Sequence, residues 1–392
     1  MFQRERFPGH LMTKYTLLQS AYWMAYVTIY SFAVEFLLAK GFDAAAAGTI
    51  LAVSSVVSCV TQPSLAALSE RRGRPGLAEI VMGGVALALC LSVALNFACG
   101  PVTAVLFGAL AAIMQALLPF ENAIAFAYIN RGGKINYGLA RAIGSAMFAV
   151  LSSVLGLYVM RLGGQRLPIL YIALLICLAA AAWIVGEPKG GQVRGESAEP
   201  TPLREFATRY RRFCFLLAGL TCLLFEHSII NSYLTQIFEG VGGSSVDKGV
   251  ALAVAAVSEL PTMGGFALLT KRFSIRSLMR FATAFMSLKA VWFLLASSVP
   301  SLYAAHVTQM FSYALYIPAS VYYVNHVMAA RDRVKGVALI NVPMTLGSVF
   351  GTLVGGWLLR LAGLRVLLTV STTVSILGSL IAFFSLEKVR EE

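Results

Sequence analysis

Apolar runs long enough to cross a lipid bilayer recur along this chain, and short polar breaks separate them. A membrane-spanning helix needs about 20 predominantly apolar residues, because the hydrocarbon core is about 30 Å thick. Of the 392 residues, 58% are hydrophobic and 12% are charged, whereas about 25% are charged in ordinary soluble domains. The pattern excludes a soluble globular protein and predicts an all-α polytopic membrane protein.

Twelve membrane-spanning helices are predicted from these runs, with the polar breaks marking their ends. Their limits are 14–38, 44–68, 76–98, 101–128, 137–160, 167–186, 211–238, 247–270, 277–298, 301–328, 336–359 and 366–386. The polar stretch 187–209 divides them six and six, and its proline, glycine and charged residues are typical of a linker. We therefore predict an N-terminal bundle at 1–186, a cytoplasmic linker at 187–209 and a C-terminal bundle at 210–392.

The positive charge of the chain is concentrated in alternate loops. Lysine and arginine number 31 against 18 aspartate and glutamate residues. With a cytoplasmic N-terminus, the cations in outer segments are Lys40, Arg161, Arg166, Lys248, Arg360 and Arg365. Cytoplasmic loops of membrane proteins carry an excess of lysine and arginine, so we expect both termini in the cytoplasm and a location in the inner membrane. The same distribution explains the excess of basic over acidic residues, so we expect no nucleic-acid partner.

Three positions recur between the two halves at a nearly constant offset. The pairs are Pro63 with Pro261, Gly138 with Gly336, and Pro119 with Pro318, at offsets of 198, 198 and 199 residues. Each pair falls in corresponding spans, as expected for a duplicated six-helix unit. Chance coincidence of prolines is the alternative.

The loop after the second predicted span reads AALSERRGR over residues 66–74. It resembles the loop between the second and third helices of the major facilitator superfamily, in which a small residue, an acid, basic residues and a glycine recur at this spacing. Ala66 replaces the usual glycine, and Glu70 replaces the usual aspartate. The resemblance implies that Glu70, Arg71 and Arg74 form a conformational latch. The alternative is that these arginines serve only as topology charges.

Six ionisable groups fall well inside the predicted spans: Glu121, Arg141, Glu226, His227, Glu259 and Lys289. Each costs about 2.5 to 3.5 kcal/mol at bilayer depth and needs a partner, a wet cavity or a function. The helical rise per residue places Glu121 and Arg141 at compatible depths, and it places Glu259 near Lys289 at mid-membrane. We therefore expect one acid–base pair in each half, with purely structural pairs as the alternative. His306 is expected close to a span end, where it reaches the interface.

The fifth span contains YGLARAIGS at residues 137–145. This segment resembles the arginine segment of the lactose permease family of sugar:proton symporters, whose relatives include phenylpropionate-type permeases. The resemblance implies that Arg141, together with Glu121 of the fourth span, holds substrate hydroxyls. Phe148 lies two helical turns after Arg141, where the family has a tryptophan that stacks on the sugar ring.

The eighth span contains SELPTM at residues 258–263, which resembles the eighth helix of the same family. The resemblance implies that Glu259 binds substrate and couples it to protonation. Lys289 stands where the family has an arginine. Lysine keeps the positive charge but lacks the planar guanidinium, which can donate two parallel hydrogen bonds. In the tenth span, Gln309 and Ser312 replace the family's histidine and glutamate, so the expected proton carrier is missing there.

Two neighbouring groups of the seventh span, Glu226 and His227, are the substitute proton carriers, with Glu259 as a third and Lys289 as the associated base. An interhelical hydrogen bond without titration is the alternative for His227. We expect no cofactor and no metal, with a proton gradient as the driving force. The predicted partners of a monomeric protein are a small-molecule substrate, protons and the lipid bilayer.

Several aromatic and amide side chains share helix faces because they are four residues apart. The sets are Tyr22, Tyr26 and Tyr30 with Trp23 beside them, His227 with Asn231, and Gln309 with Tyr313. Aromatic faces with few hydrogen-bonding groups fit a sugar ring or an aromatic solute. We therefore predict that Trp23, Tyr26, Tyr30, Asn231, Gln309 and Tyr313 contribute to substrate binding, with packing as the alternative for each tyrosine.

Taken together, these patterns predict a major facilitator fold of two pseudo-symmetric six-helix bundles around a central cavity, working by alternating access. The predicted function is proton-coupled symport of a small organic solute, with a sugar or oligosaccharide preferred. Transport of an aromatic carboxylate or a nucleoside is the alternative within the same fold, and a non-transporting membrane sensor is the alternative from another class. The sequence shows no metal-ligand cluster, phosphate-binding glycine loop or nucleophile beside a base, so an enzyme is not expected.

Overall fold

The computed structural model describes residues 10–72, 76–186 and 202–387, and every regular element in those ranges is helical. Nine described helices are long and apolar enough to cross a membrane, and a tenth is obtained when one bent pair is counted as a single span. The sequence predicts twelve spans. The first predicted span is bent, the tenth is divided by a 3-10 turn, and the last two run together as one candidate, which accounts for the difference.

The chain divides into two compact units, Met1–Phe42 with Val53–Val193 and Asp43–Ala52 with Arg194–Glu392. The first turns of the second predicted span thus belong to the C-terminal unit. Most of the predicted linker, residues 187–201, lies outside the described residues.

Seven α-helices begin before the linker. They are α1 (Leu11–Tyr26), α2 (Ala33–Ala39), α3 (Ala44–Arg72), α4 (Leu77–Leu95), α5 (Gly100–Ile129), α6 (Tyr137–Leu162) and α7 (Leu167–Val185). A π-helical turn at Val27–Ser31 follows α1, and α2 continues after a bend of 45°. The first predicted span is therefore a broken helix, and π-turns of this kind are frequent at functional sites.

Nine α-helices follow the linker. They are α8 (Leu203–Arg209), α9 (Arg211–Ser232), α10 (Leu234–Glu239), α11 (Ser245–Arg272), α12 (Ile275–Leu295), α13 (Val299–Val307), α14 (Tyr313–Val327), α15 (Ala330–Ile340) and α16 (Val342–Ser385). The tenth predicted span is divided into α13 and α14 by a 3-10 turn at Thr308–Met310. The eleventh and twelfth run together in α16, where Gly363 adopts φ 79° and ψ 176°. This positive φ favours glycine and separates the two spans.

Small residues let helices approach closely in each unit. In the first unit, α1 packs against α6 and α7, and α4 packs against α5 and α7. In the second, the main contact joins α9 to α16, where a Cβ added at Gly219 would lie 2.7 Å from the backbone oxygen of Gly378. Close backbone approach at glycine is a common way of packing membrane helices, since lipid supplies no hydrophobic drive between them.

The recurring prolines occupy helix interiors in both halves. Pro63 lies inside α3 and Pro261 inside α11, while Pro119 lies inside α5 and Pro318 inside α14. Proline removes a backbone donor from the helix, so each half lacks a helical hydrogen bond at the same two places in corresponding helices.

Candidate substrate-binding clusters

Polar and aromatic side chains from α1, the π-helical turn, α5 and α6 meet inside the first unit. We call this set the first cluster: Tyr15, Gln19, Trp23, Tyr26, Tyr30, Glu121, Asn122, Tyr137, Arg141 and Phe148. The sequence predicted six of these residues for substrate binding and missed Tyr15, Gln19, Asn122 and Tyr137.

Arg141 contacts an aromatic ring within this cluster. The centre of its guanidinium lies 3.7 Å from the ring centre of Trp23, a distance at which a cation is attracted by the π-face. Gly144, one turn further along α6, permits the approach of α1, because an added Cβ would lie 3.0 Å from Trp23 Cδ1. The indole N–H of Trp23 in turn donates to Gln19 Oε1 at 3.0 Å.

Gln19 is the centre of a hydrogen-bond network. Its amide nitrogen donates to the Tyr15 hydroxyl at 2.7 Å and to Asn122 Oδ1 at 3.0 Å. The Tyr137 hydroxyl also donates to Asn122 Oδ1, at 3.0 Å. The signal for both amides was present in the sequence, because Gln19 is four residues before Trp23 and Asn122 follows Glu121.

The buried carboxyl group of Glu121 makes no hydrogen bond to Arg141. The residue is 0% exposed, and neither carboxylate oxygen has a hydrogen-bond partner. Arg141 is placed against Trp23, and its Nη1 also has no hydrogen-bond partner. The pairing expected for Glu121 and Arg141 is thus not a direct hydrogen bond in this structure, and the guanidinium of Arg141 lies on the Trp23 ring.

A series of aromatic rings extends from Arg141 along α1. Tyr22 stacks on Tyr26 with ring centres 5.9 Å apart, and Tyr26 stacks on Tyr30 at 5.2 Å. Phe148 meets the Trp23 ring edge to face at 6.2 Å. Trp23, Tyr26, Tyr30 and Phe148 are half-buried, so their faces remain partly available to a bound molecule.

The second unit contains a separate group of charged and polar side chains. We call it the second cluster: Glu226, His227, Asn231, Glu259, Lys289, His306, Gln309 and Tyr313. They come from α9, α11, α12, α13, the 3-10 turn and α14, so the break in the tenth predicted span brings Gln309 into the cluster.

Gln309 connects the two charges that the sequence paired. Lys289 Nζ donates to Gln309 Oε1 at 2.5 Å, and Gln309 Nε2 donates to Glu259 Oε1 at 3.1 Å. Lys289 and Gln309 are buried, with 4% and 5% exposure. The amide presents an acceptor to the cation and a donor to the acid, which is the only arrangement that satisfies both neighbours.

His227 forms a flat stack with Tyr313. The ring centres are 4.3 Å apart and the planes differ by 9°. Asn231 Nδ2 lies 3.1 Å from His227 Nε2 and also donates to the His227 backbone oxygen at 2.8 Å. Asn231, predicted from its spacing, thus fixes the orientation of the imidazole ring.

Two buried groups of this cluster have unsatisfied polar atoms. Glu226 is 2% exposed and its Oε1 has no hydrogen-bond partner. His306 is 1% exposed, and neither of its ring nitrogens has a partner. The interfacial position expected for His306 is wrong, because the ring lies against Phe293, edge to face at 5.1 Å.

The predicted latch lies beyond what the structure describes. Arg74 falls in the gap between residues 72 and 76, and the side chains of Glu70 and Arg71 are likewise outside the described part. Their role stays a prediction.

Comparison with known proteins places the chain among transporters. A family model described as the MFS_1 like family matches residues 15–370. A mutant of the nucleoside transporter NupG has a TM-score of 0.80 at 14% identity, over 96% of this chain and 99% of that chain. A bacterial homolog to the human lysosomal transporter Spinster, inward-facing and unoccupied, has a TM-score of 0.69 at 13% identity, over 98% of each chain. No curated protein matches the chain. At these identities, the likeness to solved structures shows the fold alone.

Proposed function

The chain belongs to the MFS_1 like family, a major facilitator family, and is a multi-pass membrane transporter rather than an enzyme; on this premise we propose that it carries a small hydroxylated solute together with protons. A sugar or oligosaccharide is the first candidate. The proposal includes a monomeric protein in the inner membrane with both termini in the cytoplasm.

The observation that carries this proposal is the unpartnered carboxyl group of Glu121. Burying a carboxylate without a hydrogen-bond donor is costly, so the group needs either a proton or a donor from outside the cluster. The neighbouring amides and hydroxyls of Gln19, Asn122 and Tyr137 already bond to one another. A substrate hydroxyl supplies the donor that the protein lacks.

The aromatic faces support a ring-shaped substrate. Arg141 lies on the Trp23 ring, Phe148 contacts the same ring, and both aromatic side chains are half-buried. A sugar ring has apolar C–H faces and polar edges, so it can pack on an aromatic ring while its hydroxyls bond to charged groups.

Proton coupling is proposed for the second cluster. The chain of contacts from Lys289 through Gln309 to Glu259 joins a buried cation and an acid through one amide. Adding a proton to Glu259 removes the charge that receives the Gln309 N–H, which weakens that bond. We propose that this change alters the cluster during turnover, with Glu226 and His227 as additional proton carriers.

Uptake into proteoliposomes under an imposed pH gradient tests the proposal. A panel of labelled sugars, nucleosides and aromatic acids is compared for wild type, Glu121→Gln and the control Glu239→Gln, whose side chain is exposed in an outer segment. Hydrogen bonds to charged groups contribute about 1.5 to 3 kcal/mol, so Glu121→Gln should weaken substrate binding by about 10- to 100-fold. No uptake or binding of any panel member by wild type would favour a non-transporting sensor.

A nucleoside is the second candidate because of one observation, the parallel stack of His227 on Tyr313. A planar base can extend such a stack, and the neighbouring structure NupG is a nucleoside transporter by name. Competition separates the two candidates: excess nucleoside blocks sugar uptake only if both share the site. Tyr313→Leu should reduce nucleoside binding more than sugar binding, because it removes the ring and leaves an apolar surface.

A further inference from the structure

The second unit contains an apolar cavity that neither cluster uses. Its volume is about 560 Å³, and it lies between α11, α12, α14 and the 3-10 turn. The wall includes Leu268, Leu269, Phe273, Phe281, Phe311 and Leu315. Phe281 and Phe311 meet edge to face at 6.1 Å and form one side of it.

The cavity opens on the surface of the unit and has the length of one membrane leaflet. Leu268 is 67% exposed and Phe281 is 43% exposed. The wall runs along α11 from Pro261 to Phe273, twelve residues or about 18 Å at the helical rise. Half of the hydrocarbon core measures about 15 Å, so the groove matches the reach of a single acyl chain.

Two basic residues directly precede the last cavity residue of the α11 segment in the chain. Phe273 in the wall directly follows Lys271 and Arg272, which are exposed and have no hydrogen bond or ion pair among the described residues. Two other arginines of this region are engaged: Arg276 Nε donates to the Leu386 oxygen at 2.9 Å, and Arg280 donates to the Phe383 oxygen at 3.0 Å. Lys271 and Arg272 are thus the cations available to an external anion.

The positive-inside rule predicts that these two residues face the cytoplasm. The cytoplasmic leaflet contains anionic lipids, and basic pockets between membrane helices on that side bind their headgroups. An apolar groove of one-leaflet length with two exposed cations next to its end in the chain is complementary to a molecule with an acyl chain and an anionic head.

We propose that this cavity binds an acidic glycerophospholipid of the cytoplasmic leaflet. One acyl chain lies along the wall formed by Leu268, Phe281 and Phe311, and the headgroup phosphate lies at Lys271 and Arg272. The site is independent of the transported solute, since it shares no wall residue with either cluster.

The deep end of the site is adjacent to the second cluster in the chain. Pro261 follows Glu259 by two residues, and Met310 directly follows Gln309. The Thr262 hydroxyl donates to the Met310 oxygen at 2.8 Å and joins α11 to the 3-10 turn at this point. A bound acyl chain therefore packs against the backbone that positions Gln309 and Glu259.

Native mass spectrometry of the full-length protein tests the proposal with two lipids of identical chains, phosphatidylglycerol and zwitterionic phosphatidylcholine. We expect phosphatidylglycerol to bind more tightly. Each basic residue near an anionic surface contributes the equivalent of about fivefold in affinity. The double variant Lys271→Gln/Arg272→Gln should therefore weaken phosphatidylglycerol binding by about 25-fold and leave phosphatidylcholine binding unchanged.

A pair of adjacent glycines supplies a matched control for the cavity itself. An added Cβ meets nothing within 4 Å at either Gly264 or Gly265, but only Gly265 lines the cavity. We expect Gly265→Leu to fill the groove and abolish binding of both lipids, whereas Gly264→Leu retains it. Equal behaviour of the two variants, or equal affinity of wild type for the two lipids, overturns the proposal.

A reporter inside the groove gives a second measurement that does not depend on those variants. Phe281→Trp places an indole in the wall, and phosphatidylglycerol with brominated chains should quench its fluorescence more than brominated phosphatidylcholine does. If a second copy of the chain or an uncharged hydrophobic solute displaces the lipid, and wild type shows no preference for the acidic lipid, the groove binds that occupant instead.

Discussion

The two clusters accommodate a cation inside the membrane in different ways. In the first unit, Arg141 lies on the ring of Trp23 while Glu121 has no hydrogen-bond partner. In the second unit, Lys289 is joined to Glu259 through Gln309. The comparison indicates that the acid and the base of the first cluster keep unused hydrogen-bonding capacity, whereas Lys289 and Glu259 of the second cluster are satisfied through one amide. We therefore expect mutations in the first to affect binding and mutations in the second to affect stability and coupling.

The largest expected effect is the loss of stability in Lys289→Met. Removing one member of a buried charged network leaves the other uncompensated and costs about 3 to 5 kcal/mol. Replacing all three members with apolar side chains, in Lys289→Met/Gln309→Leu/Glu259→Leu, should recover most of that loss. Thermal melting of the purified variants measures both, with the exposed Lys134→Met as control. A triple variant no more stable than the single one contradicts the network.

Arg141→Lys should give the next largest effect, on binding rather than on stability. Lysine keeps the charge but loses the planar group that stacks on Trp23 and the fork that holds two hydroxyls. We expect substrate affinity to fall by about 10- to 100-fold, with the melting temperature close to that of wild type. Substrate counterflow measures the loss, and Arg161→Lys, exposed near the end of the same helix, is the control. A stability loss as large as that of Lys289→Met would remove the distinction between the clusters.

Much of this contrast could be predicted from the sequence, because depth in the membrane follows from residue count. Counting along the spans identified the six ionisable groups, and four-residue spacing predicted the shared face of Tyr22, Tyr26 and Tyr30, which stack in the structure. Depth alone does not give rotation about the helix axis. That is why the sequence placed Arg141 and Glu121 at compatible depths but did not give the contact of Arg141 with Trp23.

The breaks in the helices were the other feature that sequence periodicity did not reveal. The tenth span was predicted as one helix over residues 301–328, with His306 near its outer end. The 3-10 turn at Thr308–Met310 shortens that helix, and His306 is buried against Phe293. The turn has neither proline nor glycine, so no local signal marked it.

Helix packing offers a smaller test of the difference between the units. A Cβ at Gly219 would lie 2.7 Å from the backbone oxygen of Gly378, whereas a Cβ at Gly84 would meet the flexible end of Leu117. Overpacking costs about 1 to 3 kcal/mol when the neighbour cannot move. We expect Gly219→Ala to lower the melting temperature clearly and Gly84→Ala to change it little. The reverse order would show that α4 and α5 of the first unit are the more rigid pair.

The smallest expected effect concerns a contact of the second unit outside the membrane. The Tyr210 hydroxyl donates to Asp332 Oδ2 at 2.9 Å, and Arg209 Nη1 lies 3.5 Å from the same oxygen. At the offset of 198 residues found for the repeat, the position of Asp332 corresponds to the exposed Lys134 of the first half. The repeat therefore supplies no equivalent bond there.

Burial raises the pKa of Tyr210 above its ordinary value, and the hydrogen bond to the Asp332 carboxylate raises it further. A raised pKa means that the contribution of Tyr210 to stability is fully present below about pH 10, the usual tyrosine value, and is lost as the pH rises above it. Tyr210→Phe should cost about 1 kcal/mol at neutral pH, and its difference from wild type should shrink at higher pH. Chemical denaturation between about pH 8 and 11 measures this difference, with the exposed Tyr322→Phe as control. A difference that grows with pH would mean that the hydroxyl stabilises the fold through its ionised form, and that Arg209 rather than Asp332 is its effective partner.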